Sequence, residues 1–278
     1  YAPVEGMRAL SKGLTGLGLV ALCAPVTGAL VVAYWSWHAA FIALGAYGLI
    51  MLFWVWANFT ESLPERAPIA ANAITKSASV AVLKGPRFRA WTAMLVATYC
   101  TLFAFLLSSG FVYIKVFGFS PLACGLVLGS NSLAYIGGTY FCRNLLARMG
   151  PDGAARIGGV ISLTGGLSML AVALVSGPQP WSMILGQWLI AIAHGVHQPC
   201  GQAGSVGDFP EHAGRAAAFS GFAMMLAAFF CGQFMAPSLG TSAWPLVLSN
   251  AIGSVCISIV AWVFVPWAYR VQTTRSDT

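Results

Sequence analysis

Charged side chains are scarce in this sequence, and their scarcity bounds the class of protein. Only 8% of the 278 residues are Asp, Glu, Lys or Arg, while 58% are hydrophobic. A soluble domain carries roughly 25% charged residues, and a soluble protein of this length could not cover its surface with so few. Lipid must cover it instead, so the composition predicts an integral membrane protein.

The sequence also lacks the motifs of phosphate binding and of hydrolytic catalysis. It contains no Gly-x-x-x-x-Gly-Lys, no His-Glu-x-x-His and no Gly-x-Ser-x-Gly. We therefore expect no direct use of ATP, no cofactor and no enzymatic activity. A membrane-embedded enzyme or channel stays open as a minor alternative, although paired intramembrane acids and a charged pore ring are missing.

Metal and nucleic-acid sites are not indicated either. No two of the seven cysteines have Cys-x-x-Cys spacing, and His194 and His197 have no third ligand near them, so we expect neither a disulfide nor a metal site. The net charge of +7 comes from Lys and Arg residues that stand singly or in small groups between apolar runs. They form no continuous basic face, so nucleic acid is not an expected partner.

Long apolar runs dominate what is present. A helix needs about 20 apolar residues to cross the hydrocarbon of a bilayer, and the charge-free stretches predict about eight transmembrane helices. Period-2 alternation is absent, which disfavours strands. The candidate spans are 13–35, 38–60, 90–114, 121–142, 157–176, 181–206, 216–236 and 244–268.

The basic residues predict the orientation of these spans. If Tyr1 to Lys12 is cytoplasmic, the cytoplasmic segments hold 13 of the 14 Lys and Arg residues, and only Lys115 falls outside. This bias follows the positive-inside rule and predicts that both termini of this chain are cytoplasmic. The predicted organisation is two spans (1–60), a cytoplasmic linker (61–89), a six-helix bundle (90–269) and a cytoplasmic tail (270–278).

A weak internal repeat suggests how the spans are grouped. Pro3, Arg8 and Trp37 match Pro210, Arg215 and Trp244 at a constant offset of 207 residues. Parallel repeats are typical of transporters built from two halves. The first two spans would end one half and the last six would form the other, so we expect four further spans encoded upstream of Tyr1.

Four passages resemble a known family. They are Ala24-Pro25-Val26-Thr27-Gly28, Trp35-Ser36-Trp37-His38 with Glu61-Ser62-Leu63-Pro64, Ser109-Gly110-Phe111-Val112-Tyr113-Ile114, and Phe209-Pro210-Glu211-His212-Ala213-Gly214-Arg215-Ala216. They are similar to the antiporter motif of span five, the external Trp turn and exit of span six, the end of span seven and the entry to span eleven in the major facilitator superfamily, specifically its Bcr/CflA subfamily. The resemblance implies a major-facilitator fold lacking its first four spans.

The family resemblance implies a function and a place in the cell. It implies a secondary transporter in the bacterial inner (plasma) membrane that exports small drug-like molecules in exchange for protons by alternating access. The partners would be a small-molecule substrate, protons and the lipid bilayer, with the oligomeric state open. A truncated, non-transporting membrane protein of the same family is the alternative.

Polar residues inside spans are candidates for the substrate cavity. Gln187, His194 and Gln198 recur at intervals of seven and four, which places them on one helical face, either lining a cavity or bonding a neighbouring helix. The family fold suggests further cavity residues, each of which also suits ordinary helix packing. These are Phe105, Ser109, Asn131, Tyr135, Met225 and Phe229.

Proton coupling and gating have few candidates. No Asp or Glu lies inside any candidate span, so His194 is the best proton-coupling residue, since its imidazole titrates near physiological pH. Pro25 and Gly28 belong to the passage resembling the antiporter motif. Arg143 and Arg148 lie in a segment resembling the family's basic gating loop, although topology alone also explains basic residues there.

Overall fold

The structure is a computed structural model that describes residues 3–60, 76–238 and 242–276, and these are helical apart from short turns. The passage Glu61-Ser62-Leu63-Pro64, most of the predicted linker and residues 277–278 lie outside the described residues. The predicted all-α membrane architecture is confirmed. The helices are α1 Pro3–Tyr34, α2 Trp37–Asn58, α3 Lys76–Lys84, α4 Pro86–Gly110, α5 Pro121–Ser176, α6 Pro180–Val206, α7 Ala213–Met235, α8 Trp244–Ile259 and α9 Val265–Ser276.

Helix α5 consists of two helices that meet at Gly150. The backbone there has φ 69° and ψ −175°, a conformation that glycine adopts without a Cβ clash. Pro151 follows directly and restarts the helix, since proline suits the first helical position, where its missing N–H costs nothing. The two arms, 121–149 and 151–176, therefore correspond to two of the eight predicted spans.

Six helical stretches in the described residues are long and apolar enough to cross a membrane, and one of them is the double helix α5. Helix α6 has 27 residues, which is long enough to cross a membrane, but it is not one of these six apolar stretches. It carries Gln187, His194, His197 and Gln198, and most of its residues are buried among the other helices. Neighbouring helices rather than lipid surround these polar groups, as expected for polar residues within a bilayer.

Several helices extend beyond the predicted spans. Helix α1 begins at Pro3, ten residues before the predicted start at position 13, and α9 continues to Ser276, into the predicted tail. The length of a charge-free stretch predicts which residues can lie in the hydrocarbon of the bilayer. The ends of a helix depend instead on capping residues and on proline. The Ser120 hydroxyl, for example, accepts a hydrogen bond from the Ala123 N–H at 3.1 Å at the start of α5.

Small residues let α5 and α6 pack closely. A Cβ on Gly138 would meet the carbonyl oxygen of Ile192, and a Cβ on Gly195 would meet that of Tyr135. Further along, Gly165 and Gly186 approach each other's backbones in the same way. Membrane helices gain stability by van der Waals packing at such small-residue interfaces, so this pair forms the centre of the bundle.

The first two helices pack very differently. Helix α1 buries Met7, Ser11 and Leu14 against the bundle, on the face that crosses the 121–149 arm of α5. Helix α2 has no buried residue although all of it is apolar enough for a membrane. One end of the molecule, the basic end, carries Arg89, Arg143, Arg156 and Arg215, while Lys115 lies at the opposite end.

Candidate functional site

A cavity of about 360 Å³ lies where α1 meets the six-helix bundle. Helices α1, α4 and α6 and the 121–149 arm of α5 enclose it. Its lining is mostly apolar, with a polar strip on one wall. The lining residues are Leu17, Gly18, Ala21, Ala24, Tyr99, Leu102, Leu106, Leu128, Asn131, Ser132, Tyr135, Ala191, His194 and Gln198.

Two helical turns that face each other form the polar strip. Asn131 and Tyr135 are one turn apart on α5, and His194 and Gln198 are one turn apart on α6. The Tyr135 hydroxyl donates a hydrogen bond to Gln198 Oε1 at 2.9 Å. The Tyr135 ring also lies beside the His194 imidazole, with 5.5 Å between ring centroids. The four side chains therefore form one continuous polar surface.

Two polar atoms of this strip are buried without a hydrogen-bond partner in the described residues. They are Asn131 Oδ1, which can accept a hydrogen bond, and His194 Nδ1, which donates or accepts according to the tautomer. Leaving such a group unpaired in an apolar interior costs about 1–3 kcal/mol. A ligand that supplies a hydroxyl, amine or amide at this wall recovers part of that cost.

Among the residues that the structure describes, the cavity lining carries no Asp, Glu, Lys or Arg. His194 is the lining side chain whose ordinary titration range lies near neutral pH. The opposite wall is formed by Tyr99, Leu102 and Leu106 of α4 and by small residues of α1. The arrangement suits a small, mainly apolar molecule with a few polar groups rather than a multiply charged one.

Gln187 does not reach this cavity. It is buried and accepts a hydrogen bond from Asn250 Nδ2 at 3.0 Å, which joins α6 to α8. Although Gln187 shares a helical face with His194, it lies two turns away, where that face meets α8 instead of α1. Of the two alternatives that the sequence left open, Gln187 forms a contact between helices, whereas His194 and Gln198 line the cavity.

Four other predicted cavity residues lie elsewhere. Phe105 and Ser109 are buried, and Phe105 packs with Tyr113 and Met169 in a separate apolar cluster. The cavity-facing stripe of α4 is rotated by one residue, to Leu106. Met225 and Phe229 of α7 do not line this cavity and have 48% and 56% of their surface exposed.

Hydroxyl groups join α1 to α5 between the cavity and the basic end. Ser11 donates to the Thr139 carbonyl oxygen at 2.8 Å, and the hydroxyls of Thr15 and Thr139 lie 2.8 Å apart. Arg143 Nη1 donates to Thr15 Oγ1 at 3.3 Å, and its guanidinium lies 4.1 Å from the centre of the Tyr140 ring. We call these groups the hydroxyl seam.

The other predicted gating residues lie outside this seam. Arg148 is exposed near the Gly150 break. Pro25 and Gly28 lie within α1, and a Cβ on Gly28 would meet nothing within 4 Å. His197 faces away from the cavity, with its Nε2 at 3.0 Å from the Ala155 carbonyl oxygen.

Sequence reasoning missed the hydroxyl seam and the α4 wall. Ser11 and Thr15 are four residues apart at the entry to the first span, a spacing that places both on one helical face. That spacing was a usable signal. Tyr99 gave no comparable signal, because an aromatic residue in an apolar run is equally compatible with lipid or core packing.

The long apolar helices and the cavity between them define a multi-pass membrane protein. The family model described as the Major Facilitator Superfamily matches residues 1–232. The chain therefore belongs to the major facilitator superfamily, as its resemblance predicted, and is a transporter-family protein of the membrane.

Two curated relatives are similar to nearly the whole chain. The Bicyclomycin resistance protein homolog of Haemophilus influenzae is 23% identical over 262 residues, covering 92% of this chain and 65% of the relative. The Uncharacterized MFS-type transporter YdgK of Bacillus subtilis is 23% identical over 265 residues, covering 92% of this chain and 64% of the relative. The chain thus spans just under two thirds of the length of these relatives.

Proposed function

We propose that this chain belongs to a proton-coupled exporter of small, amphipathic, drug-like molecules and that the cavity at Tyr135 and His194 binds the substrate. The observation that carries the proposal is the position of the cavity. It lies between α1, the predicted end of one bundle, and the six-helix bundle that follows the linker. Transporters of two halves bind substrate near the midplane at such a junction.

The chemistry of the lining supports the substrate class. Apolar walls from Leu102 and Leu106 favour a greasy body, while the strip of Asn131, Tyr135, His194 and Gln198 can orient a few polar groups. The volume of about 360 Å³ is at the small end of the range for ligand pockets, roughly 300–1,000 Å³. A small neutral or weakly basic compound fits these features.

Alternating access requires that the cavity open to each side in turn. The hydroxyl seam supports a role for Arg143 in gating, because hydrogen bonds among Ser11, Thr15, Thr139 and Arg143 join α1 to α5 between the cavity and the basic end. Substrate entry from that side needs these bonds to break. Arg148, Pro25 and Gly28 are further gating proposals, with Pro25 and Gly28 acting as a bend in α1.

We propose His194 as the proton-coupling group of the described residues. It lies at the cavity wall and faces Tyr135 and Gln198, so a proton on its ring would sit directly beside a bound substrate. A substrate and a proton that compete for this wall would exchange for each other. In the orientation that goes with this proposal, the basic end lies on the cytoplasmic side of the inner membrane, and both termini of this chain lie on that side.

A non-transporting membrane protein of the same family is the alternative candidate. Measured transport separates the two candidates directly.

The experiment is dye efflux from everted membrane vesicles that contain this chain. We expect a proton gradient to drive accumulation of a fluorescent amphipathic dye, and a proton ionophore to abolish it. His194→Gln should remove the response to the gradient while dye still binds. Phe229→Leu, a change on the exposed face of α7, is the matched control and should transport normally. Dye that never accumulates despite a stable, membrane-inserted chain would favour the non-transporting candidate.

A further inference from the structure

A second apolar cavity lies on a different face of α4 from the substrate cavity. A space of about 710 Å³ lies between α4, α7 and α8, and a space of about 460 Å³ continues it toward the basic end. Both are lined by Ala93, so they form one groove, which we call the lateral groove. Its floor on α4 is made of small residues, Ala93, Ala97 and Ala104.

The lateral groove is longer than one membrane leaflet. On α4 it runs from Arg89 to Ala104, a rise of about 22 Å at about 1.5 Å per residue, and its α8 wall extends to Trp244. Half of a hydrocarbon core of roughly 30 Å is about 15 Å. One acyl chain lying along the groove would therefore reach from the membrane surface to near the midplane.

A positively charged side chain, that of Arg89, lies at the basic end of the lateral groove. Arg89 lines the basic end of the groove with Phe264 and Trp267, and its side chain is exposed. Its neighbour Arg87 is bound to Asp208 at 2.8 Å and lies 4.3 Å from the Tyr269 ring. Arg89, in contrast, has no ion pair within the part of the chain that the structure describes, so its charge is available to an outside anion.

The charge pattern selects among lipids. A zwitterionic headgroup carries a positive amine beside its phosphate, so its net charge is zero and a lone cation attracts it less than an anionic headgroup. In the described ranges of the chain, neither part of the lateral groove is lined by Asp or Glu. An anionic headgroup needs only a cation, and basic pockets between membrane helices at the cytoplasmic side are suited to anionic lipids. The Trp267 indole suits the headgroup boundary, where tryptophan concentrates in membrane proteins.

We propose that the lateral groove binds one anionic phospholipid, with its phosphate on Arg89 and an acyl chain along Ala93, Ala97 and Ala104. The bound lipid fills the space between α7 and α8 and holds α4 and α8 at their spacing. This site is separate from the substrate cavity and does not depend on transport.

Native mass spectrometry of the purified chain in detergent tests the headgroup. With phosphatidylglycerol and phosphatidylcholine as probes, we expect phosphatidylglycerol to bind about fivefold tighter, the factor expected for one basic residue at an anionic surface. Arg89→Gln should abolish that preference. Arg148→Gln, which removes another exposed arginine at the same end, should leave it intact. Equal binding of both lipids, or a preference that survives in Arg89→Gln, would overturn the proposal.

A second variant tests the acyl chain. Ala97→Leu places a larger side chain on the groove floor and should weaken binding of both lipids without changing the preference between them. Its elution as a single sharp peak with an unchanged unfolding temperature shows that it has folded. If the folded variant binds both lipids as tightly as the unchanged protein, the acyl chain does not lie in the groove and the proposed site is wrong.

Discussion

The Tyr135 hydroxyl and the Gln198 side-chain carbonyl are joined by a 2.9 Å hydrogen bond across the wall of the cavity. Tyr135 comes from the 121–149 arm of α5 and Gln198 from α6. The bond holds Gln198 Oε1 toward Tyr135, and this also fixes the orientation of the NH₂ group of the same amide. A pair of side chains 63 positions apart in sequence therefore forms one polar point on the cavity wall.

Removing the tyrosine hydroxyl should weaken substrate binding. Tyr135→Phe keeps the ring but deletes the donor, which removes a hydrogen bond worth about 1 kcal/mol and leaves Gln198 free to rotate. We expect dye affinity to fall about fivefold, measured as the dye concentration for half-maximal transport or binding. Tyr47→Phe, on exposed α2, is the control. An affinity unchanged in Tyr135→Phe would mean that the substrate does not use this wall.

Loosening the hydroxyl seam should open the cavity toward the basic end. Thr139→Val removes the hydroxyl that lies 2.8 Å from Thr15, so the closed form should lose about 1 kcal/mol, or about fivefold in population. An impermeant maleimide should then label Ala21→Cys faster from that side.

The matched control for the seam is Thr164→Val. The Thr164 hydroxyl donates to the Val160 carbonyl oxygen at 2.9 Å within its own helix, so its loss should leave the labelling rate unchanged. Equal rates in Thr139→Val and Thr164→Val would show that the seam does not close the cavity.

Adjacent glycines on α5 should respond differently to alanine. Gly138→Ala places a methyl group against the Ile192 carbonyl oxygen, whereas a Cβ on Gly137 meets nothing within 4 Å. We expect Gly138→Ala to destabilise the protein by about 1–3 kcal/mol, as overpacking does, and Gly137→Ala to be neutral. Thermal unfolding in detergent measures both, and similar unfolding temperatures for the two variants would contradict the close crossing of α5 and α6.

The buried amide pair of Gln187 and Asn250 should behave as a coupled unit. Either single change to Leu leaves the partner amide unpaired and should cost about 1–3 kcal/mol. The double variant should cost less than the sum, by about 0.6 kcal/mol, a typical coupling for hydrogen bonds between membrane helices.

A double-mutant cycle of unfolding free energies in detergent measures this coupling. The control cycle combines Gln187→Leu with Asn131→Leu, whose side chain lies at the cavity and is not bonded to Gln187. That cycle should be additive. Additivity in the Gln187 and Asn250 cycle as well would mean that their hydrogen bond contributes nothing measurable.

The membrane-spanning stretches were readable from the sequence because charge is costly in hydrocarbon. The stretch 38–60 lies within about two residues of α2, and the major-facilitator resemblance of the short motifs was confirmed by the family match to residues 1–232. Helix ends were less readable, since α1 and α9 continue into charged segments where helix formation meets no obstacle.

The candidate site was only partly readable. Periodicity placed Asn131 with Tyr135 and His194 with Gln198, and the structure brings these four together at one cavity. Periodicity also joined Gln187 to His194, but Gln187 meets Asn250 instead. A helical pattern says which residues share a face, and it does not say which neighbour that face meets two turns further along.

The sequence by itself determined that lipid surrounds this protein, to which family it belongs and where its apolar helices lie, because composition and charge act residue by residue. The tertiary structure decided the rotation and tilt of each helix: Leu106 rather than Phe105 faces the cavity, and α6 passes from α1 to α8 along its length. Those choices depend on close packing at Gly138 and Gly195. Only the partner backbone reveals whether a glycine is a contact point or an open position such as Gly137.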